Sequence, residues 1–144
     1  MDYTYLELAF FALCLWREAQ NQTDAAITGV AWTIRNRVKA KLWFGVSYVG
    51  VVTHPYQYSS FNSNDPNSRK YPTSQDKAFI RCMKIAQAVF SATAEEGAGT
   101  TDPTNGAVSY FDKSLDKDPP KWALDTVQFK HTVDIGDFHF YKLC

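Results

Sequence analysis

The chain has no apolar run long enough to cross a membrane, no surplus of either charge and no even set of cysteines, and each absence closes a class of function. Its longest apolar stretch, Leu8 to Trp16, is preceded by Asp2 and Glu7 where a secretory signal carries Lys or Arg. The stretch runs into Arg17 and Glu18 without a cleavage-type segment, so neither a signal peptide nor a membrane span is expected. Fifteen basic residues balance fifteen acidic ones, with no block of one sign, and no footprint for nucleic acid or an anionic membrane results. Cys14, Cys82 and Cys144 have no metal-ligand spacing. The first two lie inside apolar helical patterns, as buried thiols of a chain made in a reducing compartment do, while Cys144 is placed to pair between molecules. A glycine-rich phosphate loop and a serine elbow are both missing. His54, His131 and His139 are scattered and put no pair on one helix face, so the sequence calls for no metal and no cofactor.

What is present is enough for one domain. The 144 residues, 45% apolar and 21% charged, can bury a real core, and a single domain over 1–144 is expected. Aromatics reach 15%; Tyr and Trp rings suit both a core and the faces of sugars, and composition does not separate the two uses.

The pattern is helical first. Apolar residues three and four apart predict a helix from Asp2, as N-cap, to about Ala19, and a second from an N-cap at Thr23, with Ile27, Val30, Ala31, Ile34 and Val38 as its buried stripe. Gly29 inside that helix costs roughly 1 kcal/mol against Ala, which points to close approach of another backbone. Arg35, Arg37, Lys39 and Lys41 suit a solvated helix end. Ser47 caps a short element that stops before Pro55, and a polar, aromatic loop runs from His54 to Thr73, the best binding-loop candidate. Thr73, with Asp76 three residues on, resembles the start of a further helix reaching about Thr93. Glu95 to Thr101 is a linker, and Asp102 to Gly106 a turn. The code then changes to strands at 107–111, 126–129 and 138–141, with Lys113 to Trp122 as a surface crossing and Asp134 to Asp137 as a hairpin turn. The fold class is α+β, with helices first and a small antiparallel sheet in the C-terminal third.

Within this frame Glu18 stands out. On the first helix it stacks over Leu15, Cys14 and Phe11, so its carboxylate should leave the helix among hydrocarbon. Desolvation and the negative helix end both raise its pKa toward that of a general acid. The plain alternative is a Glu snorkelling to water beside Arg17. Glu7 is no partner, since eleven residues of helix separate the two by roughly 16 Å, beyond the about 5 to 9.5 Å used by two-carboxylate glycosidases. A second acid has to come from a loop, Asp65 or Asp102.

Six short motifs in order carry a resemblance. Arg17-Glu18-Ala19, Gly29 to Val38 with its Asn36-Arg37-Val38 end, Gln57-Tyr58-Ser59, Asp102 to Ala107 with Tyr110-Phe111, Trp122 and His139-Phe140-Tyr141 together resemble the cell wall hydrolase family that includes spore-cortex-lytic enzymes. The resemblance spans nearly the whole chain. It implies a lysozyme-like or lytic-transglycosylase-like helical lobe with a small sheet, and cleavage of peptidoglycan glycan strands. Glu18 then matches the catalytic acid, and Gln57 to Ser59 a Gln-Phe-Ser loop with Tyr for Phe. Where relatives continue with Arg-Gly-Glu, this chain has Gln20-Asn21-Gln22, which leaves one carboxylate.

Lytic transglycosylation needs only one. Glu18 would protonate the bond between N-acetylmuramic acid and N-acetylglucosamine, then take the proton of the sugar's own C6 hydroxyl as a 1,6-anhydro ring closes. Gln57, Ser59 and Tyr110 would hydrogen-bond the sugar, with Phe61 and Trp122 as stacking faces; Tyr110 and Phe111 alternate along a strand, so only one should face a cleft. The alternatives are a hydrolytic muramidase using a loop Asp, a metal-dependent amidase using the histidines, and a non-catalytic wall-binding module. With no separate wall-binding domain and no export signal, the expected setting is a phage endolysin or virion-associated lysin, acting on the wall after release from the cytoplasm or carried in a virion.

Overall fold

A computed structural model describes residues 4–55, 57–92 and 101–144. Its order is α1 (Thr4–Ala19), α2 (Asp24–Ala40), α3 (Tyr48–Thr53), α4 (Lys77–Ser91), β1 (Ser109–Asp112), β2 (Phe129–Ile135) and β3 (Phe138–Leu143), the expected α+β arrangement. The strands form one antiparallel sheet in the order β1-β3-β2. None of the described helices is long and apolar enough to cross a membrane.

Helices α2, α3 and α4 each start where a side chain can occupy the open N–H groups. Thr23 accepts from Ala26 N–H at α2, Ser47 from Gly50 N–H at α3 and Asp76 from Phe79 N–H at α4, a contact that places one acceptor against the four orphan donors of a helix start. The cap of α4 is therefore Asp76, not Thr73: the carboxylate lies three residues ahead of the N–H it accepts, and Thr73 is left in the preceding turn. The expected cap at Asp2 and residues 95–100 of the linker expected from Glu95 to Thr101 lie outside the described residues.

Helices α1, α2 and α4 bury a common core in which Phe11, Leu15, Ile27, Val30, Ile34 and Val89 are fully enclosed. The sheet joins it through Phe138 and Phe140 of β3. Gly29 makes this possible, for a Cβ there would lie 2.6 Å from Phe140 Cζ. The close approach expected at Gly29 is real, but its partner is a ring and not a backbone. Gly136, at φ +56, turns the β2–β3 hairpin and lies against the start of α2, where its own Cβ would meet Ala26 Cβ at 3.1 Å.

Two other expectations give way. Residues 126–128 are not strand: Asp125 Oδ1 accepts from the N–H groups of Val127 and Gln128 and holds them in a turn, so β2 begins at Phe129. Arg35 and Arg37 are not a solvated helix end either, being only 7% and 8% exposed. Arg37 falls three residues after Ile34 and seven after Val30, on the apolar stripe, and a guanidinium there must be met by acceptors. Arg35 is met by the Val89 carbonyl and the face of Trp32, 5.0 Å away.

Candidate active site

The end of α1 sends two neighbouring side chains in different directions, since successive helix residues point about 100° apart. Arg17 reaches the loop. Its guanidinium donates to the carbonyls of Ser60 at 3.3 Å, Ser68 at 3.1 Å and Lys70 at 3.0 Å. The rings of Phe61 and Tyr71 flank it at 4.7 and 4.9 Å. One cation thereby draws the long loop onto α1, and charge-assisted bonds to three carbonyls make that a firm attachment. Glu18 instead enters a cleft of about 580 Å³.

The cleft lies between the helices and the sheet. Gln57, Tyr58 and Ser59 line it beside Glu18, with Ser109, Tyr110 and Phe111 of β1 opposite and Leu115, Pro120 and Trp122 of the crossing segment at one end. Because β1 is an edge strand, the cleft wraps around it, and both Tyr110 and Phe111 line the cavity. Alternation along the strand does not exclude one of them as expected, since it sorts side chains between two faces and this cleft touches both.

Burial sets the electrostatics. The Glu18 carboxyl is raised from 4.5 to about 7, first by desolvation and then by the charge of Asp65, while the Ser60 hydroxyl pulls the other way. That hydroxyl is buried but makes no well-formed hydrogen bond, so its pull is weak. Burial also pushes the hydroxyls of Tyr58 and Tyr110 and the thiol of Cys14 up, and the nearby Glu18 charge adds to each. All remain protonated around neutrality, which leaves Tyr58 and Tyr110 as neutral donors and Glu18 divided between acid and base. Arg17 does not neutralise Glu18, because its guanidinium is committed to the loop.

The opposite wall is organised by Asn36 and Arg37. Asn36 Nδ2 donates to Asp102 Oδ2 at 2.9 Å and to the Ala107 carbonyl at 2.8 Å. Asp102 in turn accepts from the N–H groups of Thr104 at 2.8 Å and Gly106 at 3.0 Å and from Thr104 Oγ1 at 2.6 Å. A carboxylate so fully engaged is a turn-former, and it does not line the cleft. Arg37 donates to the Val108 carbonyl, to Ser109 Oγ at 3.1 Å and to Gln57 Oε1 at 3.0 Å. The motifs thus meet at one junction, where the end of α2 positions β1 and the loop against Glu18.

Of the side chains singled out in the sequence, Glu18, Gln57, Ser59, Tyr110 and Trp122 share the cleft. Phe61 is not among its lining residues. Its ring packs on Phe10, with centroids 6.2 Å apart, and under Arg17, where it anchors the loop. Trp43, 64% exposed at the rim, and the buried Ser60 carry no mark in the sequence, whereas Arg37, a motif residue expected at a solvated helix end, lines the cleft instead. Only Arg37 had left a signal, its place on the apolar stripe of α2. Nothing in the periodicity marks Trp43, which comes to the rim through the turn after α2.

Residues 21–141 match the model of the Cell Wall Hydrolase family, and the chain belongs to that family. The match begins three residues after Glu18, so it covers the junction around Asn36 and Arg37 but not the acid itself. No curated protein and no solved structure matches the chain.

Proposed function

We propose that this cell wall hydrolase cleaves the bond between N-acetylmuramic acid and N-acetylglucosamine in peptidoglycan, as a lytic transglycosylase of the spore-cortex-lytic type. Its helical lobe then serves as a lysozyme-like catalytic scaffold. The observation that carries this reading is Glu18: a carboxyl at about 7 among neutral hydroxyls, and the only carboxyl among the cleft-lining residues described. In its acid form Glu18 donates its proton to the glycosidic oxygen. The leaving sugar departs with that proton, and the carboxylate left behind accepts one from the C6 hydroxyl as its oxygen closes onto the anomeric carbon. Because the nucleophile is tethered to the same sugar, no second carboxylate is required to activate water.

Gln57, held by Arg37, and Ser59 offer hydrogen bonds to the sugar's polar groups. Tyr110 adds a neutral hydroxyl that charge on Glu18 does not deprotonate. Trp122 packs edge-on against Phe111, with centroids 6.1 Å apart, and supplies a rigid apolar surface for a sugar face.

Mass analysis of the soluble products from purified peptidoglycan tests the proposal. Products ending in 1,6-anhydromuramic acid, one water lighter than hydrolytic ends and without new reducing sugar, are expected. Asp65 favours a second reading. Its charge raises the pKa of Glu18, so it lies within electrostatic reach, and a hydrolytic muramidase would use it to activate water. Reducing muramic ends as the main product would select that mechanism; intact glycan with freed peptides would overturn both.

A further inference from the structure

The β2–β3 hairpin carries a second cluster of functional groups outside the cleft. Asp134 lies directly across from His139, and His131 across from Tyr141, but the register slips between His131 and Val133. Three residues along a regular strand, His131 and Asp134 would point to opposite faces. The bulge at Thr132 inserts one extra residue and returns them to the same face. His131 Nε2 then meets Asp134 Oδ1 at 2.6 Å, and His139 Nδ1 meets that same oxygen at 2.7 Å. The two imidazoles converge at 68°, with centroids 6.1 Å apart, and do not stack. The other nitrogen of His139, Nε2, lies 2.7 Å from Asp116 Oδ1 in the crossing segment.

We propose that this face binds one divalent transition-metal ion, of which zinc is the type, through His131 Nε2, His139 Nδ1 and the Asp134 carboxylate. The three donor atoms lie within 4.8 Å of one another. Tetrahedral ligands at zinc distances stand roughly 3.3 Å apart, and Asp134 and His131, both exposed, have room to adjust to that spacing. Two imidazole nitrogens and one carboxylate suit zinc and its neighbours, whereas magnesium and calcium prefer oxygen alone. Solvent on the exposed side supplies the fourth ligand. Asp116 is the positioning group, since a ligating imidazole is oriented by donating its far N–H to a carboxylate.

The ion would act on the cleft from outside. None of the three ligands lines the cavity, whereas Leu115, next to Asp116, and Trp122, further along the same segment, both do. By fixing His139 the metal fixes its bond to Asp116, and with it one wall of the cleft. This inference does not depend on Glu18 or on the reaction proposed above.

Calorimetric titration of the chelator-stripped full chain with zinc sulfate tests it, in a Cys144→Ser background so that the exposed terminal thiol does not compete. One zinc per chain is expected, with a melting temperature that rises with zinc and returns when the chelator is restored. His131→Gln should lose the 1:1 binding. Asp116→Asn should weaken it roughly 10- to 100-fold, and titration with magnesium should be silent. His131 and Asp116 are exposed, so both variants should keep the parent's circular dichroism. No saturable zinc binding, or equal binding by the parent and His131→Gln, would overturn the proposal.

Discussion

Two carboxyl groups of this chain are shifted in opposite directions. Glu18 is raised to about 7 because the cleft removes its water and Asp65 adds a like charge. Asp134, on the outer face of the sheet, is lowered first by the bond from His139; desolvation opposes the shift, and the bond and charge of His131 add to the lowering. The cleft gathers ionisable groups by burying them, and the hairpin gathers them by pairing them near solvent. The first arrangement costs stability and leaves a carboxyl that still holds its proton near neutrality. The second is nearly neutral for folding and presents a set of aligned donors.

The largest effect expected is on activity. Glu18→Gln keeps the shape of the side chain but cannot hand over and recover a proton, so lysis of purified walls should fall by at least the 10²- to 10⁴-fold contribution typical of general acid-base catalysis. Residual lysis near the parent rate would remove Glu18 from the chemistry, and the contrast between the two regions with it.

The same substitution should raise stability, and the sign follows from the shift. A carboxyl whose pKa is raised on folding holds its proton more tightly in the native state. The charged form therefore imposes no penalty well below pH 4.5, an increasing one as pH climbs from about 4.5 to about 7 and a constant one above. A shift of this size corresponds to roughly 3 kcal/mol, an upper bound on what the neutral amide recovers. Melting of both proteins at pH 4 and pH 8 should show the variant gaining only at the higher value. Equal melting at pH 8 would mean that Glu18 is solvated after all.

A third effect concerns the docking that makes one wall of the cleft. Gly29→Ala places a methyl against Phe140 and should destabilise the chain by about 1–3 kcal/mol, as overpacking does, because the ring must leave its place over α2. Denaturant unfolding measures this; an unchanged midpoint would show that the sheet slides freely on the helix.

Asp65→Asn should move the alkaline limb of the pH-rate profile to lower pH, because removing a nearby negative charge eases ionisation of Glu18. A transglycosylase retains most of its rate in this variant, and a muramidase using Asp65 does not. The smallest effect belongs to the hairpin. In metal-free protein Asp134→Asn should change stability by well under about 1 kcal/mol, since exposed ion pairs contribute little. A large loss would mean that the outer face is as tightly organised as the cleft.

Much of this was legible in order and type. The caps at Thr23 and Ser47, the helical stripes, the change to strands after Gly106 and the hairpin turn at Gly136 are local consequences of side-chain chemistry. So was the raised Glu18, because the residues three and four before it are apolar. The errors share one cause. The cap of α4, the start of β2 and the fate of Arg35 and Arg37 each depended on which of several local options found a partner. Thr73 and Asp76 are both capable caps, and Asp76 is the one whose carboxylate reaches the free N–H of Phe79. Phe61 is as aromatic as Trp122, yet Arg17 claims it.

The sequence by itself determined the order of elements, the burial of the α1 face that raises Glu18, and the motifs from Gly29 to Tyr141 that fall within the match to the cell wall hydrolase family, because these reside in neighbours along one helix, turn or strand. Only the tertiary structure decided that Arg37 lines the cleft and holds Gln57, that Asp102 is consumed by a turn, and that His131 and His139, eight residues apart in number, meet on one carboxylate oxygen. Those outcomes depend on a bulge, an edge strand and a ring seated on a glycine. Each is a contact between segments distant along the chain or a slip in register, and periodicity along the chain records neither.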